Sequence, residues 1–67
     1  MSAVAVDRLL TAQEVGELLG ISAATVLDRH QRGDLPGFPL WGRKGAPVRF
    51  KASEIEALIA SWRGGAE

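Results

Sequence analysis

The stretch Thr11-Ala12-Gln13-Glu14-Val15-Gly16-Glu17-Leu18-Leu19-Gly20-Ile21-Ser22-Ala23-Ala24-Thr25-Val26 decides the architecture of this chain. Thr11 and Glu14 have the spacing of a capping box. The threonine hydroxyl accepts from the backbone N–H at the third helical position, and the glutamate reaches back to the N-cap N–H. Leu10, just before the cap, is placed to staple the first turn. Val15, Leu18 and Leu19 recur at i, i+3, i+4 and predict one apolar helical face, with Glu14 and Glu17 off it. Gly20 should end this helix, because glycine takes the left-handed C-terminal conformation without a Cβ clash. Ser22 is a good N-cap for a second helix from Ala23 to about Arg32. Gly33 and then Asp34-Leu35-Pro36 should stop it.

Two short helices joined through Gly20-Ile21-Ser22 form a helix-turn-helix. The offsets fit that unit better than a generic helical hairpin. Val15 and Leu19 pack the first helix, and small Gly16 sits where the two helices must approach. Ile21 is expected to plug the turn and Val26 to anchor the second helix.

Further along, Phe38 to Phe50 reads as a β-hairpin. Phe38, Leu40 and Trp41 supply bulk on one strand, Val48 and Phe50 on the other, and Gly42-Arg43-Lys44-Gly45 forms the tip. Pro39 and Pro47 confine both to short or edge strands. A third helix is expected from about Ala52 to Trp62, carrying Ile55, Leu58, Ile59 and Trp62 on one stripe; either Ser53 and Glu56 form its capping box or the helix begins a residue or two earlier. The expected fold class is a small α+β winged helix-turn-helix. Residues 1–67 should form a single domain, with flexible tails at 1–7 and 64–67.

A chain of 67 residues is one domain at most. It buries only about 60% of the surface its unfolded chain exposes, which leaves little room for a deep substrate pocket. Without cysteine there are neither disulfides nor thiolate metal sites. Met1 to Val6 has no basic region followed by a long apolar run, so no signal peptide is expected. No stretch approaches the roughly 20 apolar residues of a membrane span. These features fit a cytoplasmic protein.

The net charge is zero, but it is unevenly distributed. Residues 1–28 carry one base and four acids, a sum of −3. Residues 29–51 carry six bases (Arg29, Arg32, Arg43, Lys44, Arg49, Lys51) against Asp34, a sum of +5. Residues 52–67 carry Arg63 against Glu54, Glu56 and Glu67, a sum of −2. A basic middle between acidic ends suits a local phosphate-binding face.

The motifs Leu10-Thr11-Ala12-Gln13-Glu14-Val15, Leu19-Gly20-Ile21-Ser22, Thr25-Val26, Gly33-Asp34-Leu35-Pro36, Val48-Arg49-Phe50 and Ser53-Glu54-Ile55 together resemble the excisionase and AlpA-like regulators. These are small winged-helix relatives of the MerR-type DNA-binding domain. The resemblance spans roughly Leu9 to Trp62. It implies double-stranded DNA as partner, with the second helix in the major groove and the hairpin wing on the backbone or minor groove. It implies an excisionase (recombination directionality factor) that bends DNA and directs integrase-mediated excision of a phage or mobile element. Its setting would be the bacterial cytoplasm and nucleoid, possible partners being the integrase and neighbouring protomers loaded head to tail. An AlpA-like transcriptional regulator and a protein-interaction winged helix are the alternatives. The sequence departs from the family at Arg29 and His30, where an aromatic and an aliphatic usually pack under the wing. Trp41 and Trp62 are the expected source of that bulk, and His30 is expected to be a half-buried packing residue.

A major groove about 12 Å wide admits one helix, and polar side chains reach base edges there. With Val26 inward, the outward set is Ser22, Ala23, Ala24, Leu27, Asp28 and Gln31, with Thr25 and Arg32 at its margins. Ser22, Thr25 and the helix N-terminal N–H groups suit a phosphate. Gln31 is a candidate for adenine, and Leu27 for a thymine methyl. Asp28 either accepts from cytosine or pairs with Arg32 at i+4. Arg29 can lay its stem on apolar surface and send its head to a phosphate. On the wing, Arg43 and Lys44 suit a narrow minor groove, while Arg49 and Lys51 either touch phosphates or solvate the strand. A lone histidine, no cysteine and no glycine-rich phosphate loop argue against an enzyme. No catalytic residue, metal, cofactor, small-molecule substrate or membrane contact is expected.

Overall fold

The computed structural model describes residues 8–64. The element order is β1 (Leu9–Leu10), α1 (Ala12–Leu19), α2 (Ala23–Gln31), β2 (Phe38–Pro39), β3 (Val48–Lys51) and α3 (Ala52–Gly64). The strands form an antiparallel sheet in the order β1-β3-β2. This is a small α+β winged helix-turn-helix. The expected tails 1–7 and 65–67 lie outside the described residues, whereas Gly64 belongs to α3.

Both helix starts are built as the sequence predicts. The Thr11 hydroxyl accepts from the Glu14 N–H at 3.0 Å, and the Glu14 carboxylate accepts from the Thr11 N–H at 2.9 Å. The Ser22 hydroxyl accepts from the Thr25 N–H at 3.1 Å. The helix ends follow too. Gly20 is left-handed with φ 75°, and the Ile21 N–H donates to the Gly16 carbonyl at 2.9 Å. After α2, the Gly33 N–H donates to His30 and the Asp34 N–H to Arg29, a Schellman pair closed by left-handed Gly33. The apolar contact that often accompanies this motif is here an ion pair, Arg29 to Asp34 at 3.2 Å.

Thr11's backbone N–H holds the Glu14 carboxyl below its ordinary value, against partial desolvation and with help from Arg8. A carboxylate depressed on folding stabilises the native state fully above its unfolded value of 4.5, and that stabilisation is lost as pH falls through the folded value. Denaturant titrations across the acid range should therefore show stability falling with pH, and Glu14→Gln should flatten that fall.

Every element but β2 sends one side chain to the core: Leu10 from β1, Val15 from α1, Val26 from α2, Phe50 from β3 and Ile55 from α3, joined by Leu35 from the loop after α2. Leu19, Val48, Leu58 and Ile59 pack around them. His30 sits edge-on to Phe50 with ring centroids 5.7 Å apart, and its Nδ1 lies 3.3 Å from the Leu35 carbonyl. It is thus the half-buried packing residue expected.

Several expectations are corrected. Leu18 is 61% exposed and not part of the core, because a domain this small covers only part of the α1 stripe. Ile21 does not plug the turn, since its side chain is 38% exposed. Trp41 and Trp62 do not fill the space under the wing, being 78% and 50% exposed. Phe50, His30 and Leu35 fill it instead. Leu10 is more than a staple, since β1 pairs with β3 in the register Leu9 to Lys51 and Leu10 to Phe50. The third helix starts at Ala52 as expected, directly off β3, one residue before Ser53.

Candidate nucleic-acid interface

The helix-turn-helix is held together by a contact that only glycine permits. A Cβ on Gly16 would lie 2.5 Å from the Ile21 carbonyl oxygen, with Ser22 and Ala23 backbone atoms at 3.3 and 3.4 Å. The turn backbone therefore rests directly on α1, and this fixes where α2 starts.

With Val26 buried, α2 turns its opposite side to solvent. Ser22, Ala24, Thr25, Leu27, Asp28, Gln31 and Arg32 are all exposed. Ala23 was expected on that face but is half-buried at the helix start. The Ser22 and Thr25 hydroxyls lie 2.9 Å apart at the N-terminus of α2. Asp28 pairs with Arg32 at 3.0 Å, so the i+4 pairing exists, and both heads remain on the open face. Arg29 is exposed but held by Asp34 beside α2. It lines a shallow groove with Leu19, Ile21, Leu35 and Trp62.

The wing is a hairpin with Phe38 opposite Arg49 and Pro39 opposite Val48. Leu40 and Trp41 do not extend the strand as expected. Instead the chain turns at Leu40–Gly42 through left-handed backbone. Trp41 has φ 56° and ψ 14°, Gly42 has φ 65°, and the Arg43 N–H donates to the Leu40 carbonyl at 3.2 Å. Two consecutive central residues at positive φ make a type I′ turn, a geometry that favours Asn-Gly. A second turn follows, with the Ala46 N–H donating to the Arg43 carbonyl at 3.1 Å across Lys44 and left-handed Gly45. The Leu40 N–H donates to the Pro47 carbonyl at 2.9 Å and closes the loop base. The expected single tip turn is thus two turns in series. They expose Trp41, Arg43 and Lys44 together, with Arg43 and Lys44 forming no salt bridge to a described residue. Holding a residue with a Cβ in the left-handed region costs roughly 1–2 kcal/mol, and Trp41 is the single non-glycine residue described there. Arg49 is half-buried, with its guanidinium donating to the Val48 carbonyl at 3.0 Å, so it is tied to its own strand.

Sequence reasoning missed Trp41 as a surface feature, because a tryptophan beside Leu40 after Phe38 reads as strand. The following glycine was the available signal. Among the described residues no three His, Cys, Asp or Glu side chains gather to hold a metal ion, and no helix is long and apolar enough to cross a membrane.

A search of curated proteins finds no match to the chain. A family model described as a helix-turn-helix domain matches residues 9–63, from β1 through the last turns of α3. That span contains the capped helix pair, the wing and the helix that closes the core, so the chain belongs to the helix-turn-helix domain family.

Proposed function

We propose that the chain binds double-stranded DNA through the open face of α2 and the Arg43-Lys44 wing, and that it acts as an excisionase. The observation that carries this reading is the division of α2. Its inner side is committed to the core through Val26, while its outer side holds mostly polar and small residues together with Leu27, with no described element over them. A helix so presented fits a major groove, and a basic hairpin beside it suits the adjoining backbone or minor groove. The helix-turn-helix domain suggests DNA as the partner, and that family includes excisionase and AlpA-like proteins.

In this reading the protein catalyses nothing and needs neither metal nor cofactor. It bends DNA at attachment sites in a bacterial host, so that an integrase carries out excision. Acidic segments on either side of a basic middle favour head-to-tail contact between neighbouring protomers, an arrangement that propagates along DNA rather than closing into a dimer. Footprinting on the attachment and promoter DNA of the host element tests the proposal. Periodic protection with bending at attachment sites is expected. Protection confined to a promoter would replace the excisionase with an AlpA-like regulator. Absence of any protection or low-salt duplex shift would leave a protein-interaction winged helix.

Asp28 supplies a test at the level of one side chain. Its carboxylate faces outward and holds the Arg32 head. Asp28→Asn removes a repelling charge and frees Arg32 for a phosphate. Affinity for mixed-sequence duplex should rise about fivefold at moderate salt, since one additional phosphate contact is worth close to one power of the salt concentration. Fluorescence anisotropy at several salt concentrations reads this directly; an unchanged affinity would place Asp28 away from the DNA, and a lower one would mean that its carboxylate itself takes part in the contact.

A further inference from the structure

Trp41 is the least economical residue in the described structure. It is 78% exposed, and its backbone is left-handed at a turn position that Asn or Gly fills without strain. Its geometry is not loose, because Arg43 N–H to Leu40 and Leu40 N–H to Pro47 fix the backbone on both sides. Exposure of a large apolar side chain and a disfavoured backbone conformation both work against folding. Strain of this kind gathers where a ligand is held. Trp41 also shares its loop with the cations Arg43 and Lys44, which places a flat aromatic surface next to phosphate-binding charges. Basic residues attract the sugar-phosphate backbone but carry no shape that enters the stack. An aromatic ring supplies that, by stacking on a base or wedging into a step of the minor groove.

We infer that Trp41 is a DNA-contacting side chain of the wing, placed against sugar or base in the minor groove by the left-handed Trp41-Gly42 turn and steered there by Arg43 and Lys44. This rests on the DNA-binding reading and extends it. The same residue then accounts for bending, because a wedge that unstacks one step kinks the duplex away from the inserted ring. A contact with a neighbouring protomer or another protein is the competing use of an exposed tryptophan. The adjoining cations and the absence of other exposed large apolar side chains in the 40–47 loop favour nucleic acid.

The turn supplies a discriminating substitution. Trp41→Asn installs the residue a type I′ turn prefers, so it should fold at least as well as the parent and melt no lower, while removing the ring. Trp62→Phe leaves Trp41 as the lone tryptophan reporter in the full chain. The probe is sheared mixed-sequence duplex DNA at low salt. Trp41 emission should be quenched or shifted on titration. Trp41→Asn should bind about tenfold more weakly, within the range of one lost aromatic stack. The slope of log affinity against log salt should stay unchanged, because no charge was removed. Trp41→Phe should retain most of the affinity, and bending measured by energy transfer across a labelled duplex should fall in Trp41→Asn.

If duplex binds but Trp41 emission is silent and Trp41→Asn keeps parental affinity and bend, this inference is overturned while the DNA reading stands. If Trp41→Asn keeps affinity for a short duplex and loses only cooperativity on long DNA, Trp41 touches a neighbouring protomer and the inference is likewise overturned. If the parent binds no duplex, the DNA reading itself fails and takes this one with it.

Discussion

Gly16→Ala should lower the stability of this protein by about 2 kcal/mol, although helix propensity alone predicts a gain. Gly16 lies within α1, where exchanging glycine for alanine ordinarily stabilises by about 1 kcal/mol. Here the new methyl would lie 2.5 Å from the Ile21 carbonyl oxygen. The obstruction is backbone, so no side chain can rotate aside. Either the turn moves or α1 and α2 separate. Overfilling a packed contact typically costs about 1–3 kcal/mol, and a helix shift that also loosens Val15 and Val26 lies at the upper end. For a domain of this size each kcal/mol moves the melting temperature by about 4–8 °C, so thermal circular dichroism should show a drop of roughly 8–16 °C. Gly64→Ala near the end of α3, where no atom lies within 4 Å, is the control and should be neutral or slightly stabilising. A higher melting temperature for Gly16→Ala would mean that the turn does not rest on α1 as described.

The largest effect on binding should come from the wing. Arg43→Ala with Lys44→Ala removes two exposed cations that make no salt bridge to a described residue, so the fold should lose little. Each phosphate contact contributes about 0.9 to the slope of log affinity against log salt. Losing two should reduce the slope by about 1.8 and weaken binding roughly 60-fold near 0.1 M salt. Arg49→Ala should do less, since its guanidinium is engaged with the Val48 carbonyl. Anisotropy titrations across salt check both, and equal losses for Arg49 and the tip pair would move the contact from the loop to the strand.

The helix-turn-helix was legible because its signals are local and chemically narrow. Thr11 with Glu14, Ser22, Gly20 and Gly33 each satisfy backbone groups within a few residues of themselves, so the sequence spacing and the hydrogen bonds coincide. What failed depended on distant partners. Leu9-Leu10 has no alternation to announce a strand and becomes one only because β3 offers its edge. Leu18 and Trp62 share helical stripes with core residues, but the stripe does not tell how far a small core reaches. The space under the wing was assigned to tryptophans by bulk alone. The histidine at position 30 takes it in part, because an imidazole can pack its edge on Phe50 and still reach the Leu35 carbonyl. The outward set on α2 matches the exposed residues except at Ala23, which is half-buried at the helix start. Trp41 was misread because intrinsic preference places tryptophan in strands, and the turn it occupies goes against that preference.

The central claim is that α2 and the wing form a DNA-binding face on a chain of zero net charge. The most direct measurement is the equilibrium affinity of the unaltered protein for duplex DNA as salt is raised from about 50 to about 200 mM. With Arg43, Lys44 and Lys51 exposed in the basic middle and Arg32 held by Asp28, about three phosphate contacts are expected, and affinity should fall with a log-log slope of about −2.7. Binding that is absent at the lowest salt, or that does not change across the series, would contradict the account.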